Sequence, residues 1–363
     1  MNRRMRMKSC HCGLDPQSML AQSSATSHNH GSRIKSGMTG LGGRRDFLRA
    51  TAAAVLAASS TFALAQSFPS RPVRIIVPFP PGGTTDFVAR LFGVELGKLL
   101  AQPVIVENKP GAGTVIGVDY VAKSPADGYT LVCVANSFTA NQTLIKSLPY
   151  DTLKDLKPVA LMGMSEHVLA ANPASGIKNI ADLRAAAKAR PGTLSFASFG
   201  NGTSAHLSGE MLKAQMGLDI VHVPYKGQGP ALTDLLGGQV TMMFGNWPEF
   251  RAHVESGKLA AIGMATVKRS GYAPGIPTLA EQSVPIESNS WSGLLTPAGT
   301  PDAVVRRLNA DVNRALAMPA VVEAFQKGGI ASLPGTPEQF AAFIQSETAK
   351  YAQVIRRANI TLE

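Results

Sequence analysis

Val73, Ile75, Ile76 and Val77 form a short β-branched run, apolar at nearly every position, as in a strand buried on both faces of a parallel sheet. Pro78, Pro80 and Pro81 then remove ladder donors, and Gly82-Gly83 permits a tight turn with unshielded backbone amides. Thr84, Thr85 and Asp86 are N-cap and first-turn candidates for a helix carrying Phe87, Leu91 and Leu99 at roughly helical spacing. A strand, a glycine turn and the positive end of a helix dipole result, a device that binds anions without a basic side chain.

The same alternation continues down the chain. Strand Val104–Asn108, a KPGAG loop, helix Thr114–Lys123 and strand Tyr129–Ala135 follow, and the small polar groups of Asn136-Ser137-Phe138-Thr139 end that strand. Residues 158–172 run extended without a helical break, as a connection between domains would. A second series comprises helix Ile180–Arg190, strand Thr193–Ser198, loop FGNGTS, helix Ala205–Met216, strand Asp219–Tyr225, loop KGQG and helix Pro230–Leu236. Strand Gln239–Asn246, a helix after Pro248 and strand Lys258–Thr266 complete it. A Pro/Gly-rich return over Lys268–Glu287 leads to strand Ser290–Pro297 and to helices around Pro301–Leu316 and Pro337–Ala358. Strands alternating with helices predict an α/β fold with mostly parallel sheets. Residues 66–166 with 290–363 are expected to form one lobe and 167–289 an inserted second lobe.

Ser198 to His206, SFGNGTSAH, repeats the opening device: a strand ends, Gly200 and Gly202 free the backbone, and Thr203 or Ser204 caps a helix. One such turn per lobe points to a cleft with an anion site on each wall, and an anion touching both walls favours closure.

Charge alters this picture little. The formal net charge is +11, but residues 1–65 hold nine Lys/Arg against Asp15 and Asp46, leaving 26 basic and 22 acidic side chains interspersed over the rest. No basic run is interleaved with aromatics, so nucleic-acid binding is excluded as the main role. Arg44-Arg45-Asp46-Phe47-Leu48, the apolar Ala50–Ala58 and Ala63-Leu64-Ala65 read as a twin-arginine-like export signal cleaved near Ala65, with Sec export as the alternative and Met38 as a candidate start. The product is expected in the periplasm.

Candidate chemistry is sparse. Cys10-His11-Cys12 has no second ligand pair at zinc-finger spacing, and the lone Cys133 in YTLVCVA reads as a core residue. Neither a G-x-S-x-G elbow nor an H-E-x-x-H pair occurs, and Ser204 and His206, two apart on a helix start, do not face each other. GAGTVIG at 111–117 has the wrong final spacing for a dinucleotide loop. No catalytic residue, metal or cofactor is expected. Trp247 and Trp291 suit ligand stacking or core filling equally, and Lys226 suits a cleft mouth or plain surface.

These stretches together resemble the tripartite tricarboxylate transporter substrate-binding proteins, the Bug receptors. The blocks carrying the resemblance are RPVRIIVPFPPGGTTD, VIVENKPGAG, ADGYTL, PVALMG, FGNGTSAHLSGE, VPYKGQGPALTDLLGGQV, WSGLLTPAGTP and GTPEQFAAFI, from about Phe68 to the C-terminus. The resemblance implies the two-lobed type 2 periplasmic-binding-protein fold with the ligand cleft between lobes. It also implies capture of a small organic carboxylate for integral membrane permease subunits, without catalysis. A ligand-sensing subunit of a signalling system and an enzyme acting on a small organic acid are the alternatives. By position, the ligand-binding residues it implies are Pro81, Gly82, Gly83, Thr84, Thr85 and Asp86 in the first lobe and Ser198, Asn201, Gly202, Thr203 and Ser204 in the second. Ser137 and Phe138 match a variable loop. Thr84 stands where many members have a third glycine, and Gly245 where an aspartate is common. The missing carboxylate argues against an amino-bearing ligand and for a plain carboxylate or dicarboxylate.

Overall fold

The computed structural model describes residues 68–361. The export-signal expectation and the Cys10–Cys12 cluster lie outside them. The strands are β1 (Val73–Val77), β2 (Val104–Asn108), β3 (Thr130–Val134), β4 (Leu156–Ala171), β5 (Ser195–Ser198), β6 (Val221–Pro224), β7 (Met242–Asn246), β8 (Ala260–Met264), β9 (Asn289–Pro297) and β10 (Ile330–Ser332). The helices are α1 (Thr84–Leu100), α2 (Val115–Ala122), α3 (Asn136–Leu144), α4 (Ile180–Ala189), α5 (Ser204–Met216), α6 (Gln228–Leu236), α7 (Trp247–Glu255), α8 (Asp302–Leu316), α9 (Pro319–Gly328) and α10 (Pro337–Arg357).

The sheet order is β2-β1-β3-β9-β4-β7-β5-β6, with β10 and β8 also paired to β4. Parallel pairing joins β1 to β2 and β3, and β5 to β6 and β7. The long unbroken segment β4 links the two series: it pairs with β9 from Leu156 to Glu166 and with β7 from His167 to Ala171. An extended strand suits this crossing because its backbone groups are satisfied by a different neighbour at each end.

Each half has a layered core whose faces follow the two-residue period of its strands. In the first, Ile75 and Val77 of β1 pack with Phe92 and Leu96 of α1 and Leu308 of α8, while Ile76 turns to Val118 of α2 and Phe340 of α10. In the second, Phe196 and Phe244 meet Leu183 of α4 and Leu212 of α5, while Ala197 and Met243 meet Leu235 of α6 and Phe250 of α7. The closing helix α10 starts with a full capping box between Thr336 and Gln339. Its Tyr351 and Ile355 pack with Leu144 of α3 and Leu207 of α5, so one amphipathic helix spans both series.

Two expectations need correction. The pairing is not mostly parallel: β7, β8, β9 and β10 all run antiparallel to β4, and β9 also to β3. Asn136-Ser137-Phe138-Thr139 is the first turn of α3 rather than a strand-end loop. Helix α9 and strand β10 did not stand out in the sequence: α9 begins at Pro319 and is capped by Gly329 in the left-handed region, and β10 adds three residues against β4. Both are short and gain their stability from tertiary pairing, Phe325 and Ile330 being buried in the first core.

Candidate functional site: a cavity at converging helix starts

The β1–α1 turn is held from beneath by one acid. Asp86 accepts from the Gly82 amide at 3.0 Å, from Asn108 Nδ2 at 2.8 Å and from Arg90 Nε at 3.0 Å. Asn108 also donates to the Phe79 carbonyl, so β2 fastens both ends of the turn. Burial alone would raise the Asp86 carboxyl, but the hydrogen bonds from Arg90, Asn108 and Gly82 outweigh it and hold the group below the ordinary carboxylate range. Gly83 is the N-cap, with no side-chain cap. The amides of Thr84, Thr85 and Asp86 precede the first intrahelical bond, from Phe87 N to Gly83 O.

The β5–α5 turn uses neutral groups instead. Gly200 and Gly202 have φ of 136° and 76°, and Thr203 Oγ1 donates to the Gly200 carbonyl at 2.7 Å. The Gly202 amide donates to His206 Nδ1 at 3.1 Å, and Ser198 Oγ lies 2.7 Å from His222 Nε2. The two imidazoles stack with centroids 4.1 Å apart. Burial lowers the pKa of His206 to about 4 and of His222 to about 3, with Lys213 and, for His222, the neighbouring imidazole adding to it. Both rings are therefore neutral near pH 7, and His206 Nδ1 acts as an acceptor, not as a base in the cleft.

Between these turns lies a cavity of about 100 Å³. Its lining takes in the first residues of α1, α3, α5 and α6 and the N-cap of α7, Asn246, so five helix starts converge on one small space. Each brings unsatisfied amides and a partial positive charge, the combination that holds an anion. Of the residues expected from sequence, Pro81, Gly83, Thr84, Thr85, Asp86, Ser137, Thr203 and Ser204 line it.

The other five are placed elsewhere. Gly82 is exposed on the outside of its turn, its amide committed to Asp86. Phe138 is 1% exposed and stacks on Tyr150 in the first core, because the helical start of α3 turns it away from the cavity. Ser198 bonds His222. Gly202 faces Leu144 and Asn141 of α3. Asn201 lines a neighbouring cavity of about 580 Å³, which shares Phe79, Pro80, Phe199, Thr203, Lys226 and Gly227 with the inner one.

Sequence reasoning missed Asn136, Gln228, Asn246 and Ser290, which line the inner cavity. The KGQG turn and the Asn246-Trp247-Pro248 helix start carried the signal for two of them. Lys226 does border the cavity, Trp291 is core between Phe340 and Phe343, and Trp247 is buried against Gly329. Among the described residues, no group of three or more His, Cys, Asp or Glu could hold a metal, and no helix is long and apolar enough to cross a membrane.

Comparison with known proteins decides the family. The model of the tripartite tricarboxylate transporter family receptor matches residues 88–360. This chain belongs to that family. The protein BugT of Bordetella pertussis is 41% identical over 302 residues, 82% of this chain and 93% of the relative. A solved R. palustris protein with adipate is 32% identical, with a TM-score of 0.78 over 81% of this chain and 99% of the other. MatC from Rhodopseudomonas palustris, with bound malate, is 32% identical, with a TM-score of 0.76 over 79% of this chain and 100% of the other. The Bug-type receptor and the periplasmic-binding-protein fold anticipated from the motif blocks are thus both found, and this family is one of receptors rather than enzymes.

Proposed function

We propose that this receptor works in the periplasm, trapping a small organic carboxylate, preferentially a dicarboxylate, in the inner cavity and delivering it to integral membrane permease subunits of a tripartite tricarboxylate-type transporter. The observation carrying the ligand class is the convergence of five helix starts on a cavity with few charged side chains. Backbone amides at each start suit carboxylate oxygens, and water-excluding walls strengthen every such bond. Relatives solved with adipate and malate bind acids of this class.

The binding residues in this reading are Gly83, Thr84, Thr85, Ser137, Thr203 and Ser204 among those expected, joined by Asn136, Gln228, Asn246 and Ser290. The two crossings between the halves, β4 at Glu166–His167 and the chain entering β9 at Asn289, are the segments about which the lobes open and close in this reading. A ligand touching both halves favours the closed form by its differential affinity. The export signal read between Arg44 and Ala65 supports the compartment.

A thermal-shift panel of mono-, di- and tricarboxylates tests the reading. Dicarboxylates are expected to raise the midpoint, since a ligand bound only by the native state adds stability. No shift from any acid, together with product formation from another substrate, overturns it.

A further inference from the structure

Glu249 sits in the first turn of α7, and its Oε1 accepts a hydrogen bond from Thr84 Oγ1 at the start of α1. Thr84 Oγ1 in turn accepts from Asn246 Nδ2 at 2.8 Å, and Asn246 Nδ2 also reaches Gln228 Oε1 at 3.3 Å. Thr84, Asn246 and Gln228 line the inner cavity; Glu249 stands behind them.

A hydroxyl has one proton and two lone pairs. With Glu249 ionised, the Thr84 proton is spent on the carboxylate and one lone pair on Asn246, so a lone pair faces the cavity. A ligand carboxylate is repelled there. With Glu249 protonated, its O–H donates to Thr84 Oγ1, and the Thr84 proton is released toward the ligand. We propose that Glu249 sets the direction of the Thr84 hydroxyl, and that capture of a carboxylate at this wall moves one proton from solvent onto Glu249. This rests on the carboxylate-receptor reading and adds a proton-linked specificity to it.

Three further observations support it. Glu249 Oε2 is buried without a protein hydrogen-bond partner, so one oxygen of the ionised carboxylate is left unpaired. Burial raises the Glu249 carboxyl above its ordinary range, only partly offset by Thr84, by its own backbone amide at the start of α7, and by Asn246 and Gln228. The charged groups on surrounding elements offer no counter-charge: Asp86 of α1 is paired with Arg90, Arg251 of α7 with Glu255, and Lys226 before α6 is exposed. On β4, His167 bonds Ser288 and is neutral through burial, and Glu166 is itself acidic.

Calorimetric titration of adipate and malate between pH 5 and 8, in buffers of different ionisation enthalpy, tests the inference. The native sequence is expected to take up about one proton per acid bound and to lose affinity about tenfold per pH unit above the Glu249 pKa. Glu249→Gln, which keeps a donor toward Thr84, is expected to bind without proton uptake and with affinity flat in pH. Thr84→Val, which keeps the shape but removes the relay, is expected to lose the uptake as well. Binding by the native protein with no proton uptake, or uptake undiminished in Glu249→Gln, overturns this inference and leaves the receptor reading intact. No heat with either acid removes the dicarboxylate reading and this inference together.

Discussion

The two glycine turns share one backbone plan but are braced by opposite chemistry. The β1–α1 turn hangs on an ionised acid, Asp86, with the Arg90 guanidinium half-exposed beside it. The β5–α5 turn hangs on two stacked, neutral imidazoles. Similar loops therefore fail under different conditions.

Removing the charged brace is expected to do the most harm. Asp86→Ala leaves the Gly82 amide and Asn108 without their acceptor and costs about 3 kcal/mol of unfolding free energy. Chemical denaturation measures it, and loss of carboxylate binding in the folded fraction should accompany it. A cost under about 0.5 kcal/mol would show that the brace is dispensable.

Glycine substitutions sharpen the contrast. A Cβ at Gly83 meets nothing within 4 Å, and its backbone is extended, so Gly83→Val is expected to fold normally yet block the cavity. Affinity for the best acid should fall at least about tenfold, an overpacking cost of over 1 kcal/mol, with an unchanged melting point. Unaltered affinity would remove Gly83 from the site. Gly202→Val should do the reverse: φ is 76°, and the new Cβ lies 3.1 Å from Leu144 Cδ1, so stability falls by about 1–2 kcal/mol.

Acid should separate the two braces. His206 and His222 have folded pKa values depressed to about 4 and about 3, so the unfolded state takes up their protons first, near pH 6.5. The stability they hold is full above that value and drains as pH falls toward 4 and 3. Asp86, also depressed, loses its contribution only below the ordinary carboxylate range, near pH 4. Melting curves against pH should thus slope more gently below 6.5 in His222→Phe, which keeps the ring stack with Phe196 and His206 but cannot titrate. An unchanged slope would place the acid sensitivity in His167, which is buried and depressed to about 3 on β4. The smallest effect belongs to Ser198→Ala, which forfeits the hydrogen bond to His222 and a longer one from the Gly200 amide, about 1 kcal/mol by denaturation.

Legibility followed the range of the interactions. The strand–glycine–helix units, the extended 158–172 segment and the alternation of elements are local, so periodicity and turn chemistry exposed them. Phe138 was misplaced because its direction depends on whether Asn136 ends a strand or starts a helix, a choice made by packing of α3 against α10. His206 and His222, in separate segments of sequence, stack because β5 and β6 pair in parallel beside α5. Glu249 went unnoticed, since nothing near it in sequence announces Thr84.

By itself, then, the sequence determined the building blocks, their order, the two glycine turns ahead of helices and, through its motif blocks, the receptor family. Only the tertiary structure decided that five helix starts share a cavity and that an acid stands behind Thr84. Glycines and prolines dictate a turn through backbone sterics within a few residues. Convergence depends on β4 carrying the chain between two series and on which helix packs where, which is set by burial summed over the whole chain.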